Sequence, residues 1–418
     1  MQAFIVTKTF IGKLGESPYP FVAPSDLVQV TPYEIYLDTR QGQKRIAASA
    51  EKTGVECRVL DPTQNPSFTL PITLNGHEGR PTLLPLAPQI ATQLRQRIRP
   101  GQPLRLALFN ALGTGLGDNL VGAQAFRLVL PLLKAIHPLI EVDVIRSWTA
   151  TKPDYVLKHE PWVTRIRTTP IRLDEWREYD ACFDFSGFVS LPGFRGVPWP
   201  DFHLLNLGVS PERIIPELKQ ASCANIDADD FARGSATVVE SRPHGIVADT
   251  FVHATASTPL RSIPEPALVR LCEALKQQGH RVVTDDKTVA TVAHSVNCPL
   301  LFIRDRSLNE LYGALSAVDS TICCNSFVLH AANAVGQRTV GLFMGLGWYD
   351  NGMLPYQPQL TAIDVDHEQR YAHHYKLSAD ALNNPDEKAY FEGCWLAAIE
   401  QVIHRLVDPT DTEAPHHA

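Results

Sequence analysis

One short segment strongly limits the folds that this chain of 418 residues can adopt. An apolar run, Leu104–Phe109, leads into a turn with three glycines, Gly113, Gly115 and Gly117. Asp118 follows the turn directly, and an apolar, helix-like stretch comes next. A strand, a glycine turn and a helix in this order are typical of open α/β sheets, which bind ligands at the carboxyl ends of their strands. The segment therefore predicts an α/β fold with a candidate carboxylate at the mouth of the turn.

The composition is that of a globular protein, with 44% hydrophobic and 20% charged residues. The length exceeds that of one ordinary core, so two or three domains are expected. A net charge of −7 argues against general nucleic-acid binding, which needs a basic surface. No apolar run approaches about 18 residues, so no membrane-spanning helix is predicted. The amino-terminal stretch lacks the pattern of a signal peptide, and a cytoplasmic location is expected.

Eight cysteines are spread along the chain, and none forms a Cys-x-x-Cys pair. Neither a zinc site nor a redox pair is expected from such spacing. Cys182, Cys272 and Cys298 lie in apolar runs and are predicted to be buried. For the adjacent pair Cys323-Cys324, at the end of a strand-like run, core packing is also the favoured interpretation.

The pattern of hydrophobic residues divides the chain into four regions. Short β-type runs before residue 86 predict a mostly β module, and Pro100-Gly101 marks its end. Strand-like and helix-like segments alternate from Leu104 and again from Gly245, which predicts two parallel, doubly wound sheets. The predicted regions are a β-rich extension (1–100), a first Rossmann-like domain (101–240), a second one (241–385) and a carboxyl-terminal helix with a tail (386–418).

The glycine turn does not match the dinucleotide-binding fingerprint, because its glycines have the wrong spacing. Glycines at Gly115 and Gly117 instead favour close approach of a sugar or phosphate to the start of a helix. A carboxylate at that helix start, Asp118, is held ionised and is able to accept a proton from an attacking hydroxyl. The alternative is that Asp118 only caps the helix.

A second candidate segment, residues 251–264, lies between a predicted strand and a predicted helix, where anions commonly bind. It offers the hydroxyl groups of Thr255, Ser257 and Thr258 and the guanidinium group of Arg261, which suits a phosphate. A capped loop with a surface arginine is the alternative.

A third candidate segment, residues 318–336, has a strand that ends at Asn325-Ser326 and a helix that carries His330. The amino terminus of this helix is also predicted to direct backbone N–H groups towards a ligand. A single histidine at such a place is more often structural than catalytic.

Two further clusters are interpreted as ordinary surface. One is a histidine-rich cluster whose spacing fits no standard metal site: His367, Glu368, His373 and His374. A solvated loop is favoured there, and no metal is expected. Arg95, Arg97, Arg99 and Arg105 form a basic strip that suits an anionic membrane surface, although ordinary charge at a domain boundary is the favoured account.

Several segments, taken in order over about residues 101–405, together resemble bacterial heptosyltransferases of glycosyltransferase family 9. They are Gly117-Asp118 with Pro131 and His137-Pro138 (family G-D…P…L…P), Tyr179–Gly187 (Y-D-x-x-I-D-x-Q-G), His253-Ala254-Thr255 with Arg261 and Pro264 (H-x-x-x…K-x-W-P), and Ser307-Leu308, Glu310-Leu311, Asp319, Asn325-Ser326 and His330-Ala331-Ala332 (S-L-x-E-L…A-D…D-S-G-x-x-H-x-A-A).

The resemblance implies a GT-B fold, in which two Rossmann-like domains face a cleft. It implies inverting, metal-independent transfer of heptose from ADP-heptose to a lipopolysaccharide-core or related glycan, with no cofactor besides the nucleotide-sugar donor. Asp118 then corresponds to the catalytic base and Arg261 to the residue that contacts the diphosphate. Asn325, Ser326 and His330 correspond to the turn that holds the nucleotide sugar. A lipid-linked acceptor would bring the protein to the inner membrane as a peripheral protein.

The chain departs from the family pattern at four positions. Asn325 replaces an aspartate, Phe327 a glycine, Arg261 a lysine and Ile263 a tryptophan, and residues 1–100 have no counterpart in the lipopolysaccharide enzymes. Phe327 is expected to crowd a turn where close backbone approach is wanted. Three alternatives therefore stay open: a protein O-heptosyltransferase of the autotransporter type, which also has an amino-terminal extension; a catalytically weak relic that binds a nucleotide or glycan or acts as a scaffold; and a sugar-nucleotide epimerase, which lacks an obvious acid–base pair here.

Overall fold

The computed structural model divides the chain into two compact units, Met1–Gln220 (unit 1) and Ala221–Ala418 (unit 2). The residues that it describes are 2–13, 27–32, 34–60, 72–74, 88–148, 150–187, 197–223, 226–303, 306–344, 354–366, 368, 370–371 and 379–407.

Unit 1 combines a parallel sheet with smaller antiparallel sheets. Its elements, in chain order, are β1 (Gln2–Val6), β2 (Phe10–Lys13), β3 (Leu27–Val30), β4 (Tyr36–Asp38), α1 (Arg40–Glu51), β5 (Cys57–Leu60), β6 (Ile72–Leu74), α2 (Pro88–Arg95), β7 (Leu104–Phe109), α3 (Leu116–Lys134), β8 (Ile140–Arg146), α4 (Lys152–Leu157), β9 (Arg165–Thr168), β10 (Ile171–Arg172), α5 (Leu173–Trp176), β11 (Ala181–Asp184) and α6 (Trp199–Asn206). The parallel sheet has the order β6-β11-β7-β8-β9, so β7 lies at its centre.

Described strands of the segment 1–100, which the sequence predicts to be a β-rich extension, pair with later strands of unit 1. β4 pairs with β10, a strand that follows the parallel sheet in sequence, and β6 forms an edge of the parallel sheet beside β11. These backbone hydrogen bonds join the amino-terminal segment to unit 1. The segment also contains α1, which the sequence analysis missed because only Ile46 and Ala50 supply buried apolar side chains along it.

A buried carboxyl group lies where the amino-terminal sheet meets the rest of unit 1. Asp38 Oδ1 accepts hydrogen bonds from the backbone N–H of Thr39 and from the hydroxyl of Thr169, both at 2.6 Å. Burial raises the pKa of Asp38 to about 7, and these hydrogen bonds only partly oppose that effect. Asp38 therefore holds its proton in mildly acidic solution, as a carboxyl group in an apolar site does.

Unit 2 is built on one six-stranded parallel sheet. Its elements are α7 (Ala228–Glu240), β12 (Ala248–His253), α8 (Glu265–Gln277), β13 (His280–Thr284), α9 (Lys287–Ser295), β14 (Leu300–Phe302), α10 (Leu308–Ala317), β15 (Ser320–Cys324), α11 (Phe327–Ala334), β16 (Thr339–Phe343), β17 (Leu360–Asp364) and α12 (Pro385–Val407). The strand order is β14-β13-β12-β15-β16-β17, which places β12 and β15 side by side at the centre.

The expected α/β class with parallel sheets is confirmed. The five cysteines predicted to be buried, Cys182, Cys272, Cys298, Cys323 and Cys324, are all buried free thiols. Among the described helices, none has the length and apolar composition needed to cross a bilayer.

The division between the units lies after Gln220, not at the predicted boundary after residue 240. The reason is that α7 packs closely against α10 of unit 2, with glycines on both helices. A Cβ atom on Gly234 would lie 1.9 Å from the carbonyl oxygen of Glu310, and one on Gly313 would lie 2.0 Å from that of Phe231. Only glycine permits two helix backbones to approach this closely, so α7 belongs to unit 2.

We expect Gly313→Ala to lower the free energy of unfolding of unit 2 by about 1–3 kcal/mol, because the added methyl group must push α7 away. Chemical unfolding followed by circular dichroism measures this change. Gly393→Ala on α12 is the matched control, since no described atom lies within 4 Å of its new Cβ atom. The control should be neutral or stabilising by up to about 1 kcal/mol. Equal stability of the two variants would contradict the close contact.

Candidate functional site

The glycine turn in unit 1 ends at Gly115, the residue that precedes α3. Asp118 lies in the first turn of α3, half-buried, and its Oδ2 accepts a hydrogen bond of 2.9 Å from the backbone N–H of Gly115. Gly113 has a φ of +122°, and a Cβ atom there would lie 2.6 Å from the Cβ of Asp118. Glycine is therefore required at position 113. Asp118 closes the turn but is not the N-cap residue itself.

Gly117 was expected in the turn, and the structure corrects this prediction. The residue lies inside α3, which already begins at Leu116. The helix starts early because the carboxylate of Asp118 satisfies the N–H of Gly115, one of the groups that a helix start leaves unpaired. The turn between β7 and α3 is thus formed by residues 110–115.

Asn119 fixes the backbone of this turn. Its side-chain oxygen accepts from the N–H of Leu112 at 3.3 Å, and its side-chain nitrogen donates to the carbonyl oxygens of Gly113 at 3.0 Å and Gly115 at 2.7 Å. The side chain is fully buried. Asn119 therefore holds residues 112–115 of the turn in one conformation.

A lysine lies near Asp118. Lys152 begins α4, which packs against α3, and both helices follow neighbouring parallel strands, β8 and β7. Burial lowers the pKa of Lys152, and the negative charge of Asp118 acts on it in the opposite direction. The carboxyl edge of unit 1 thus holds a carboxylate and an ammonium group within electrostatic range of each other.

In unit 2, a buried ionic cluster fixes the loop that follows β12. His253 Nδ1 bonds to Asp285 Oδ1, and its Nε2 bonds to the carbonyl oxygen of Thr255, both at 2.8 Å. Asp286, the N-cap residue of α9, accepts from the backbone N–H groups of Ala254 at 3.0 Å and Thr255 at 2.8 Å.

The charges in this cluster support one another. Burial alone would lower the pKa of His253, but the charges of Asp285 and Asp286 and the hydrogen bonds to the ring together raise it to about 9. Burial tends to raise the pKa of Asp286, but the charge of His253 and the hydrogen bonds to its carboxylate lower it overall. At neutral pH the cluster therefore contains a protonated histidine, which donates both of its N–H groups.

The predicted phosphate-binding residues lie on the loop after this cluster. A single 3₁₀ turn, Pro259–Arg261, follows Thr258, and α8 begins only at Glu265. Arg261 Nη2 donates to the hydroxyl of Ser257. The hydroxyl oxygen of Thr258 is buried and makes no hydrogen bond to any described group. Thr255 is exposed, although its N–H is bound by Asp286.

The third predicted group lies at the end of the neighbouring strand, β15. Asn325 is buried, and its N–H donates to the carbonyl oxygen of Leu342 at 3.0 Å. Ser326 is extended and precedes α11 as its N-cap residue, and His330 is buried one turn later. Burial, together with the smaller effect of the Arg261 charge, lowers the pKa of His330 to about 3.

The structure thus brings the second and third predicted segments together. β12 and β15 are hydrogen-bonded parallel neighbours, so the loops after His253 and Cys324 meet at one edge of the sheet. The charge of Arg261 acts on both Cys324 and His330. This edge therefore combines one guanidinium group, several hydroxyl groups and a neutral histidine, a set suited to an anion such as a diphosphate.

The other two predicted clusters gain no support as sites. His367, His373 and His374 lie outside the described residues, and within the described part no group of three or more potential ligands could hold a metal ion. In the basic strip, Arg99 pairs with Asp180 at 2.7 Å and Arg105 with Glu141 at 3.2 Å, so at least these two charges are compensated within the protein.

Sequence reasoning missed Asn119, Asp286 and Lys152. A signal existed for Asp286, since Asp285-Asp286 stands between a strand and a helix, where N-cap residues occur. For Asn119 and Lys152 no local pattern was available, because their roles depend on packing between segments distant in sequence.

We expect His253→Gln to change how the stability of unit 2 depends on pH. The histidine titrates near pH 6.5 when unfolded and near 9 when folded, so its contribution is complete below about pH 6.5 and is lost as pH rises through 9. Its full size is on the order of 3 kcal/mol. Chemical unfolding from pH 6 to 10 measures the difference between wild type and variant. His294→Gln, at an exposed position of α9, is the control. A difference that is the same at every pH would contradict the ionic cluster.

Comparison with known proteins supports the fold. No family model and no curated protein sequence matches the chain. Among solved structures, a family 9 glycosyltransferase from Veillonella parvula shares 14% identity, covers 72% of this chain and 96% of its own, and gives a TM-score of 0.51.

Two other solved structures match with lower TM-scores. An Escherichia coli ADP-heptose lipopolysaccharide heptosyltransferase II shares 12% identity over 63% of this chain and 90% of its own, with a TM-score of 0.46. The iron-containing dodecameric glycosyltransferase TibC from enterotoxigenic E. coli shares 15% identity over 73% of this chain and 77% of its own, with a TM-score of 0.45. On the strength of the Veillonella match, this chain has the fold of a family 9 glycosyltransferase.

Proposed function

We propose that this protein is a glycosyltransferase that uses a nucleoside diphosphate sugar as its donor. The observation that carries the proposal is the meeting of the Arg261 loop and the start of α11 at the ends of neighbouring strands. Among the described residues of these two loops, Arg261 offers a positive charge, whereas His330 is neutral and His253 is already bonded to Asp285 and Thr255. A single guanidinium group with adjacent hydroxyl groups suits a leaving diphosphate.

In the proposed reaction Asp118 and Arg261 have different tasks. Asp118 accepts the proton of an acceptor hydroxyl while the oxygen of that hydroxyl attacks the anomeric carbon of the donor. The bond from this carbon to the diphosphate oxygen breaks, and the nucleoside diphosphate leaves with an additional negative charge. Arg261 and the hydroxyl groups beside it stabilise that charge, which develops only as the bond breaks.

The finer assignment rests on the resemblance of the motifs. The order of these motifs supports ADP-heptose as the donor and heptose as the transferred sugar. It also supports inversion at the anomeric carbon, catalysis without a metal ion, and the GT-B fold. It supports a lipopolysaccharide-core or related glycan as the acceptor. There are two alternatives to transfer onto a glycan: transfer onto a protein, and binding of the nucleotide without turnover. The donor screen distinguishes all three.

A donor screen with purified protein tests the function directly. ADP-heptose is incubated with lipopolysaccharide-core oligosaccharide or with an autotransporter adhesin domain, and release of ADP and mass of the acceptor are measured. Transfer to the oligosaccharide supports the proposal, and transfer to the protein changes only the acceptor. ADP binding without any transfer would indicate a binding protein.

Asp118→Asn should reduce the transfer rate by about 10²–10⁴-fold, because the amide cannot accept the proton. The affinity for ADP, measured by isothermal titration calorimetry, should change little. Asp229→Asn, an exposed aspartate in the first turn of α7, is the matched control and should retain full activity. Full activity of Asp118→Asn would exclude Asp118 as the base.

Arg261→Met should weaken ADP binding by about 10–100-fold, because a charge-assisted hydrogen bond contributes about 1.5–3 kcal/mol. The same calorimetric measurement applies. Arg270→Met on α8 is the control, since Arg270 pairs with Glu400 at the surface of the same unit. Unchanged ADP affinity of Arg261→Met would contradict the assigned diphosphate site.

A further inference from the structure

The loop that carries Arg261 is closed by a backbone hydrogen bond at its base. The N–H of Ile263 donates to the carbonyl oxygen of Ala254 at 2.8 Å, so the two ends of the loop meet. Asp286 binds the N–H groups of Ala254 and Thr255 from outside the loop. Neither contact reaches residues 256–261, which form the loop tip. Other interactions must therefore hold the loop tip in one conformation.

The hydroxyl group of Ser262 joins two backbone groups of the loop tip. Its oxygen accepts a hydrogen bond from the N–H of Ala256 at 3.0 Å, and the hydroxyl donates to the carbonyl oxygen of Thr258 at 3.1 Å. One hydroxyl group can form both bonds because it has one donor and two acceptor lone pairs. Ser262 is half-buried, and alanine at this position would remove this partner from both backbone groups.

Arg261 is bound to the same segment of the loop at both ends of the residue. Its Nη2 donates to the hydroxyl of Ser257, which lies between the two residues that Ser262 binds. Its backbone N–H donates to the carbonyl oxygen of Thr258 at 3.1 Å, and this oxygen also accepts from Ser262. The hydroxyl of Ser262 therefore holds the backbone to which both the main chain and the guanidinium group of Arg261 are bonded.

We propose that Ser262 is a positioning residue for Arg261: its hydroxyl group holds the loop tip in the conformation in which the guanidinium group binds a diphosphate. The inference rests on the proposed role of Arg261 as the diphosphate ligand. Ser262 stands where the family pattern K-x-W-P specifies no residue, so the motif gives it no role. A loop that is ordered before the anion arrives loses less conformational freedom on binding, which favours affinity.

A double-mutant cycle tests the role of Ser262. In isothermal titration calorimetry with the full-length protein, Ser262→Ala should weaken ADP binding by about 3–10-fold, because the loop tip must then become ordered on binding. Ser262→Thr, which keeps the hydroxyl group, should restore the wild-type affinity. In the background of Arg261→Met, Ser262→Ala should cause no further loss. An equal loss in both backgrounds would overturn the inference, since Ser262 would then act independently of Arg261.

Ser295→Ala is the matched control. The hydroxyl of Ser295 also donates to a carbonyl oxygen, that of Val292 at 2.7 Å, but at the carboxyl end of α9. Its removal should leave the affinity for ADP unchanged. If this variant loses as much affinity as Ser262→Ala, the effect comes from the stability of unit 2 in general, and the positioning role is wrong.

A second readout requires no ligand. Arg261 Nε is buried, and its ¹H–¹⁵N resonance, identified by its loss in Arg261→Met, is recorded in the full-length protein. Ser262→Ala should shift or broaden this resonance, because the guanidinium group is no longer held in one position, and Ser262→Thr should restore it. An unchanged resonance in Ser262→Ala contradicts the positioning role. If the resonance responds but the wild type does not bind ADP, the positioning role stands and the proposed function fails.

Discussion

Each of the two candidate sites depends on a buried polar side chain of its own, which forms hydrogen bonds to the backbone of the loop after a central strand. In unit 1 the amide of Asn119 bonds to three backbone groups of the glycine turn. In unit 2 the carboxylate of Asp286 bonds to the N–H groups of Ala254 and Thr255. A loop at the edge of a sheet has backbone groups without ladder partners, and leaving them buried and unpaired costs about 1–3 kcal/mol each. The two side chains remove this cost and give each loop one conformation, which a site needs before it can discriminate a ligand.

The hydrogen bonds of these side chains also determine which polar groups remain available to bind a ligand. Asp286 occupies the N–H groups of residues 254 and 255, so these two groups cannot also bind a phosphate. His253 uses both ring nitrogens within the protein, and His330 is uncharged near neutral pH. The charge of Arg261 acts on Cys324 and His330 at this edge, and the buried hydroxyl groups of Thr258 and Ser326 are polar groups of the described loops that remain for an anion. The site thus contains one neutral histidine, His330, one protonated histidine, His253, whose N–H groups are both used within the protein, and the guanidinium group of Arg261.

The sequence predicts the central elements well because their patterns are strong. β7 has the bounds that the apolar run Leu104–Phe109 indicates, and α3 covers the helix-like stretch that follows Asp118. The chain order of the three candidate segments also places two of them at neighbouring strand ends, as parallel sheets require. Hydrophobic periodicity fails where an element is short or polar, as in α1 and α4.

The interactions that define the sites could not be predicted in this way. The approach of α7 to α10 depends on Gly234, which lies against the backbone of Glu310, and on Gly313, which lies against that of Phe231. No local signal in the sequence marks either glycine as a contact. Lys152 carries no motif, and its relation to Asp118 arises only from the pairing of β7 with β8. Contacts between elements that are distant in sequence arise from the tertiary structure, and the local preferences of single residues do not reveal them.

The altered turn at Asn325–Phe327 is less disruptive than the sequence suggests. The glycine of the related motif was expected to matter for its conformational freedom, yet Phe327 is the first residue of α11 and does not have a positive φ. The extended conformation just before the helix is adopted by Ser326, which any residue can do. The change from aspartate to Asn325 has a different consequence, because an amide brings no negative charge to a strand end where Arg261 acts on Cys324 and His330. The charge of Arg261 is therefore not opposed by a carboxylate at position 325, which under the proposed function would favour an anionic leaving group. If this protein uses a different donor from the related enzymes, the loss of a negative charge at position 325 is one structural reason to expect the difference.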